Sequence, residues 1–245
     1  LRCKKNNDWV HVHSNNELTI LSHHSSRGQL AHNEIGILPE YKGHLVSDGF
    51  KAYGSGEYEH SYCNAHILRE LKYLHEEEAN VWAEEMAEFL KLILHKINNK
   101  IRMSMKDLKS RYWRILRRGF KDCGYAREIK GRPPDYFKND YQNGKRIRVA
   151  KFRRRKLSRA MNLLVRLRDH WEKVLAFAIK RGVPFTNNQA ERDLRMIRLK
   201  EKISGCFRST EMAKLFCRIR SFMSTMRKQD LPILDNLVLL QVLDI

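Results

Sequence analysis

From Ala65 onward the repeat of apolar side chains along this chain changes from every second residue to about every 3.6. Alternation is the mark of a strand with one buried face, and the longer period is that of one helix face. An α/β fold with its strands early and its helices late follows. Asp8 to Ser14 (Asp-Trp-Val-His-Val-His-Ser) alternates apolar with polar, Asn15-Asn16 turns the chain, and Glu17 to Ser22 returns it with Leu18, Ile20 and Leu21 apolar. That pattern predicts a β-hairpin. A polar loop around Ser25 to Gly28 leads into a short helix over 29–38, ended by Pro39. Gly43 to Phe50 reads as a short buried strand that delivers Asp48 at its carboxyl end, with Gly49 allowing a sharp turn. Tyr58 to Cys63 is a further strand.

Beyond Ala65 the stripe Val81, Trp82, Met86, Phe89, Leu90, Ile93, Leu94, Ile97 predicts an amphipathic helix from Ala79 to about Lys100. Gly131-Arg132-Pro133-Pro134 breaks the helical pattern, Asn143-Gly144 makes a second turn, and helical spacing resumes from Leu157 to Ala178. The Met and Trp residues on these stripes are core. With 245 residues, 42% of them hydrophobic and 31% charged, the chain can bury a sizeable core and is neither disordered nor fibrous. No run of eighteen apolar residues appears, and no basic stub opens the chain, so no membrane span or secretory signal is expected. Five cysteines, an odd number without dense spacing, read as reduced thiols of a cytoplasmic protein. A first residue of Leu1 rather than Met suggests a piece of a longer protein.

Charge divides the chain into unlike parts. The net charge is +20, yet residues 1–100 hold 11 basic and 14 acidic side chains, whereas 101–245 hold 37 and 14. Residues 101–160 alone carry 21 basic against 5 acidic side chains, including the run Arg153, Arg154, Arg155, Lys156. An excess of that density points to a polyanion, and nucleic acid is the expected partner.

Two carboxylates stand out. Asp48, at a strand end, has rigid support and access to solvent. Glu191 lies in Phe185-Thr-Asn-Asn-Gln-Ala-Glu-Arg-Asp-Leu-Arg195, at a helix start. With Asn188 as the capping residue, Glu191 would equally serve to close a capping box. Arg192, Arg195 and Arg198 follow it, the last two on its own helix face, and Lys202 and Arg208 extend the basic surface. Cys63 and His66 have the spacing of two zinc ligands, but no second pair follows to complete a structural site. The histidines, His11, His13, His23 and His24 among them, fall mostly on hairpin positions and call for no special role.

Gly43 to Tyr53, then Cys63-Asn-Ala-His66-Ile-Leu-Arg69-Glu-Leu71, Asn187-Asn188-Gln-Ala-Glu191-Arg192, Ser204-Gly-Cys-Phe-Arg208-Ser209 and Ile219-Arg-Ser221 together resemble the bacterial insertion-sequence transposase family numbered sixty-six. The resemblance implies a DDE catalytic domain of ribonuclease H-like fold, a mixed sheet carrying two aspartates and a helix carrying a glutamate. Asp48 matches the second aspartate and Glu191, 143 residues later, the glutamate. Residues 1–74 would then form the first part of the core, 75–182 a helical, basic insertion, and 183–245 the catalytic helix and the rest of the core. The same resemblance implies two Mg²⁺ or Mn²⁺ ions held by carboxylates, transposon-end and target DNA as partners, a homo-oligomer on DNA, and a place at the bacterial nucleoid. It puts Cys63 and His66 behind the site and Arg69 near phosphate. The family's first aspartate has no counterpart here, because Leu1 to Lys5 carry no acid and Asp8 opens the next strand. Loss of strand-transfer activity is the expected result. The rival reading is a non-catalytic basic nucleic-acid-binding protein, with Asp48 a turn residue and Glu191 a cap.

Overall fold

Alternation in the first sixty residues becomes short strands. The computed structural model describes residues 2–3, 6–54, 56–124, 140–142, 145–147 and 157–242. Strands β1 (Arg2–Cys3) and β2 (Asn6–Asn7) pair antiparallel, and β3 (Trp9–Ser14) and β4 (Thr19–His24) form the expected hairpin. Helices α1 (Gln29–Ile35) and α2 (Ile37–Glu40) follow, separated by Gly36 in a left-handed conformation, so the single helix expected over 29–38 is two. Then come β5 (His44–Ser47), a 3-10 turn (Lys51–Gly54) and β6 (Glu59–Tyr62), the two strands parallel. The helical part contains α3 (Asn64–Glu76), α4 (Val81–Asn98), α5 (Met105–Asp122), the strand pair β7 (Asp140–Gln142) and β8 (Lys145–Ile147), α6 (Arg159–Asp169), α7 (Trp171–Val174) and α8 (Ala176–Ile179). The chain closes with α9 (Asn188–Ser204), α10 (Thr210–Lys228) and α11 (Ile233–Val242).

These elements form two compact units, one of residues 1–63 with 186–245, the other of residues 64–185. Helix α3 goes with the second unit. The fold is mixed α/β and mostly helical. Among the described residues the strands pair only two by two, and no strand joins the β3–β4 hairpin to the β5–β6 pair, so one continuous mixed sheet is not seen.

In the first unit the hairpin lays one face on two helices. Val10, Val12 and Leu21 pack with Leu194 and Ile197 of α9 and with Phe216 and Cys217 of α10. Ile20, next to the buried Leu21, is exposed, since adjacent strand residues point to opposite faces, and Leu18, just before the strand, is exposed as well. The free edge of β4 is covered by α10: Leu21 N–H donates to Ser221 Oγ (2.8 Å) and Thr19 N–H to Thr225 Oγ1 (3.1 Å). Four residues of helix rise about 6 Å and two residues of strand about 6.7 Å. One helix row of hydroxyls thus meets successive outward amides and closes an edge otherwise open to pairing.

The second unit is a helical core around the fully buried Trp82, Met86, Leu90, Tyr112, Leu116 and Leu164. Tyr112 satisfies its hydroxyl by donating to the Leu167 carbonyl at 2.8 Å. Gly119 lets α5 approach its neighbours, as a Cβ there would lie 2.7 Å from Leu164 and 2.8 Å from Trp82. Val81, counted on the apolar stripe of α4, is 57% exposed because it is the first residue of the helix. Ser104 and Ser158 cap α5 and α6 through their side chains. Asn64 N–H, at the entry to this unit, donates to the carbonyl of Phe185 at its exit (3.0 Å). The turns at 131–134 and 143–144 and the run Arg153 to Lys156 lie outside the described residues.

Candidate active site

Asp48 is the first residue past β5, and its position follows from the parallel ladder. Ser47 pairs with Tyr62, and Cys63 N–H then donates to the Ser47 carbonyl at 2.7 Å. Asp48 and Cys63 therefore leave adjacent strands side by side, where strand spacing is about 4.8 Å. The chain turns at once: Phe50 N–H donates to Asp48 Oδ1 (3.1 Å), and Gly49 takes φ +83°, with the Tyr62 ring 3.2 Å from where a Cβ would stand. Both conditions demand glycine. The Asp48 side chain is 42% exposed, and its Oδ2 lies 3.9 Å from Arg27 Nη2. Burial first, then the nearby Asp48 carboxylate, raises the Tyr53 phenol above its ordinary range.

The helix that carries Glu191 is joined at its start to Cys63. Asn187, the residue capping α9, donates its N–H to the buried Cys63 Sγ at 3.1 Å. The start of the glutamate's helix is thus fastened to the residue beside Asp48 in the strand register. Helix α9 begins at Asn188 with Asn187 as its cap and no side-chain cap bond, so the capping box expected from Asn188 is not formed. Glu191 sits in the first turn, half-buried, its N–H directed to Asn187 O at 3.4 Å.

Two residues further along α9, Asp193 is tied into the hairpin tip. Its Oδ2 accepts from Ser14 Oγ (2.8 Å), Thr19 Oγ1 (2.9 Å) and Lys228 Nζ (3.2 Å), and Oδ1 accepts from Gln189 Nε2 (3.2 Å). Lys228 Nζ also donates to Ser14 Oγ and to the carbonyls of Asn15 and Leu18. The pair is buried, with side-chain exposures of 10% for Lys228 and 7% for Asp193. Nothing in the local sequence marks this network, because its partners come from three distant segments.

The other face of the hairpin is rich in histidine. His11 packs edge-on against His32 of α1, with ring centroids 5.2 Å apart, and His32 meets Tyr53 at 4.9 Å. His11 Nε2 donates to the Ser26 carbonyl; on the opposite, helix-facing side of the hairpin His23, across from Val10, pairs with the buried Asp8 at 2.9 Å. Burial lowers the pKa of His11 and of His32, and lowers that of His13 to about 4, with neighbouring histidines adding to each. These side chains are structural participants and not the incidental hairpin residues their spacing suggests.

Arg192, Arg195, Arg198, Lys202 and Arg208 are exposed in the first unit. Arg69 is exposed on α3 of the second unit, and Arg153 to Lys156 fall outside the described residues. Arg27, which spacing alone does not single out, stands with its guanidinium over Phe50 (4.2 Å) and Trp9 (5.1 Å). The Asp48 oxygen facing Arg27 offers the hard donor a divalent cation prefers. Among the described residues, however, no group of three or more His, Cys, Asp or Glu side chains is placed to hold a metal. No described helix is long and apolar enough to cross a membrane.

A family model described as the transposase IS66 family matches residues 2–215. Comparison with curated proteins and with solved structures returns no match.

Proposed function

The chain belongs to the transposase IS66 family, and we propose from that premise that it is a DDE-type catalytic domain of ribonuclease H-like fold, with Asp48 and Glu191 as its cation-binding carboxylates. Membership makes DNA the partner. The observation that supports the two residues is the Asn187 N–H to Cys63 Sγ bond, which fastens the helix of Glu191 beside the strand tip of Asp48.

When bound, two Mg²⁺ or Mn²⁺ ions would charge-stabilise the attacking and leaving oxygens of a phosphodiester. The chain's own contributions are positional. The Phe50 amide fixes one carboxylate oxygen of Asp48 and leaves the other toward Arg27 on a half-exposed side chain. Asp193 and Lys228 lock α9 against the hairpin, and so set the height of Glu191 along that helix. Arg192, Arg195, Arg198, Lys202 and Arg208 draw the DNA backbone toward the site by charge. The reading needs no covalent protein nucleophile: water cuts at the transposon end, and the freed 3′-hydroxyl attacks target DNA.

Calorimetry with Mn²⁺ tests the assignment. Asp48→Ala and Glu191→Ala each remove the binding heat. Unchanged heat in both variants returns the chain to the rival reading of a basic nucleic-acid-binding protein without catalysis.

A further inference from the structure

We propose that Arg27 is a phosphate-binding residue of the Asp48 site, pre-positioned by two aromatic rings to grip the DNA backbone beside the reacting carboxylates. This rests on the reading of Asp48 given above and adds a residue to it.

Two aromatic rings hold the guanidinium in place. It lies over Phe50 at 4.2 Å and over Trp9 at 5.1 Å from the ring centroids. Both rings stand on supported backbone. Trp9 is paired in the hairpin opposite His24, and Phe50 is fastened to Asp48 through its own N–H. The guanidinium lies 3.9 Å from the Asp48 carboxylate, near the outer reach of an ion pair, and the two side chains are 47% and 42% exposed. A pair so open to water contributes little and is easily exchanged. Stacking, not the carboxylate, therefore sets where the cation sits.

Stacking uses the faces of a guanidinium and leaves its in-plane N–H donors available. In the free protein Asp48 is the anion beside them. A phosphodiester arriving there offers two oxygens to the planar fork, the arrangement that arginine makes best. A lysine has neither the fork nor the flat face. Because the phosphate would lie next to Asp48, the contact falls at the reacting end of the DNA and not on the distant basic surface. Removing the carboxylate charge frees the fork, so Asp48 and Arg27 act in opposition on DNA affinity.

The experiment is a titration of the full chain with a short labelled duplex at several KCl concentrations, with Trp9 emission followed in parallel and isolated by subtracting Trp9→Phe. Arg27→Gln lowers affinity and reduces the slope of log affinity against log salt by about 0.9, the value of one phosphate contact. It also abolishes the change in Trp9 emission on adding DNA. Arg27→Lys keeps the charge and most of the slope but loses the Trp9 change. Asp48→Asn raises affinity in the wild-type chain and raises it less in Arg27→Gln. An unaltered slope and an unaltered Trp9 response in Arg27→Gln overturn the proposal. Mn²⁺ calorimetry on the same proteins keeps the two ideas separate: the binding heat is lost with Asp48→Ala and kept, with affinity no weaker, in Arg27→Gln, which removes a positive charge 3.9 Å from Asp48. Normal Mn²⁺ behaviour with an unaltered salt slope removes Arg27 and leaves the carboxylates, whereas the converse removes the carboxylates and leaves Arg27.

Discussion

Asp193 and Lys228 form a buried ion pair, Nζ to Oδ2 3.2 Å, that binds the start of α9 and the end of α10 to the tip of the β3–β4 hairpin. Removing one partner leaves the other charge buried, with its remaining donors or acceptors mismatched. Asp193→Ala is expected to destabilise the protein by about 3–5 kcal/mol, read as a shift of the urea midpoint. The apolar double replacement Asp193→Leu with Lys228→Met destabilises by clearly less than the two single changes added together. Additive losses would show that the two groups do not act as a pair.

Cys63 is predicted to matter as a hydrogen-bond acceptor and not as a reactive thiol. Cys63→Ala strands the Asn187 N–H at a loss of about 1–3 kcal/mol, and weakens Mn²⁺ binding because the helix start loosens. Cys63→Ser, which keeps an acceptor, retains more of both. Equal Mn²⁺ affinity in the alanine and serine variants would sever the link between this bond and the carboxylates.

Acid should destabilise the first unit through its histidines. His13 protonates near pH 4 in the folded chain and near 6.5 when unfolded, and His11 and His32 shift in the same direction. Between those values the unfolded state binds more protons, so stability is complete above about 6.5 and falls as the pH drops toward 4. For His13 alone the loss amounts to roughly 2–3 kcal/mol at the acid end. Denaturation midpoints at neutral and at mildly acid pH give the slope, and His13→Phe flattens it. A midpoint independent of pH in the wild-type chain contradicts the account.

Ser221 and Thr225 protect the edge of β4. In Ser221→Ala the Leu21 amide, and in Thr225→Val the Thr19 amide, exchanges its hydrogen faster, with each loss worth about 1 kcal/mol. Site-resolved hydrogen exchange measures this directly, and unchanged protection at both amides would mean the hydroxyls are bystanders.

Strand periodicity and the Asp-Gly turn make the location of Asp48 legible from sequence, and Glu191 is legible as a helix-start residue because Asn187-Asn188 precede it. Their common attachment through Cys63 is not legible, since it depends on a parallel register and on a thiol accepting from an amide 124 positions later. The capping-box reading of Glu191 fails by one residue, a typical uncertainty of helix ends. The Arg27 clamp escapes because Trp9 and Phe50 belong to separate elements whose meeting no local pattern encodes. The hairpin histidines look incidental in sequence for a related reason: alternation tells which face a residue takes, but not that α1 and the 3-10 turn will cover that face.

The hydrogen bond from Asn64 to Phe185 means that a detour of more than a hundred residues departs from and returns to almost one point. Its length is decoupled from the spacing of the groups on either side, so a domain at this junction can be enlarged, trimmed or exchanged for a brief tether without re-aligning Asp48 and Glu191. The long gap between those two carboxylates in the chain is in this sense a matter of cargo, hung from a single peg.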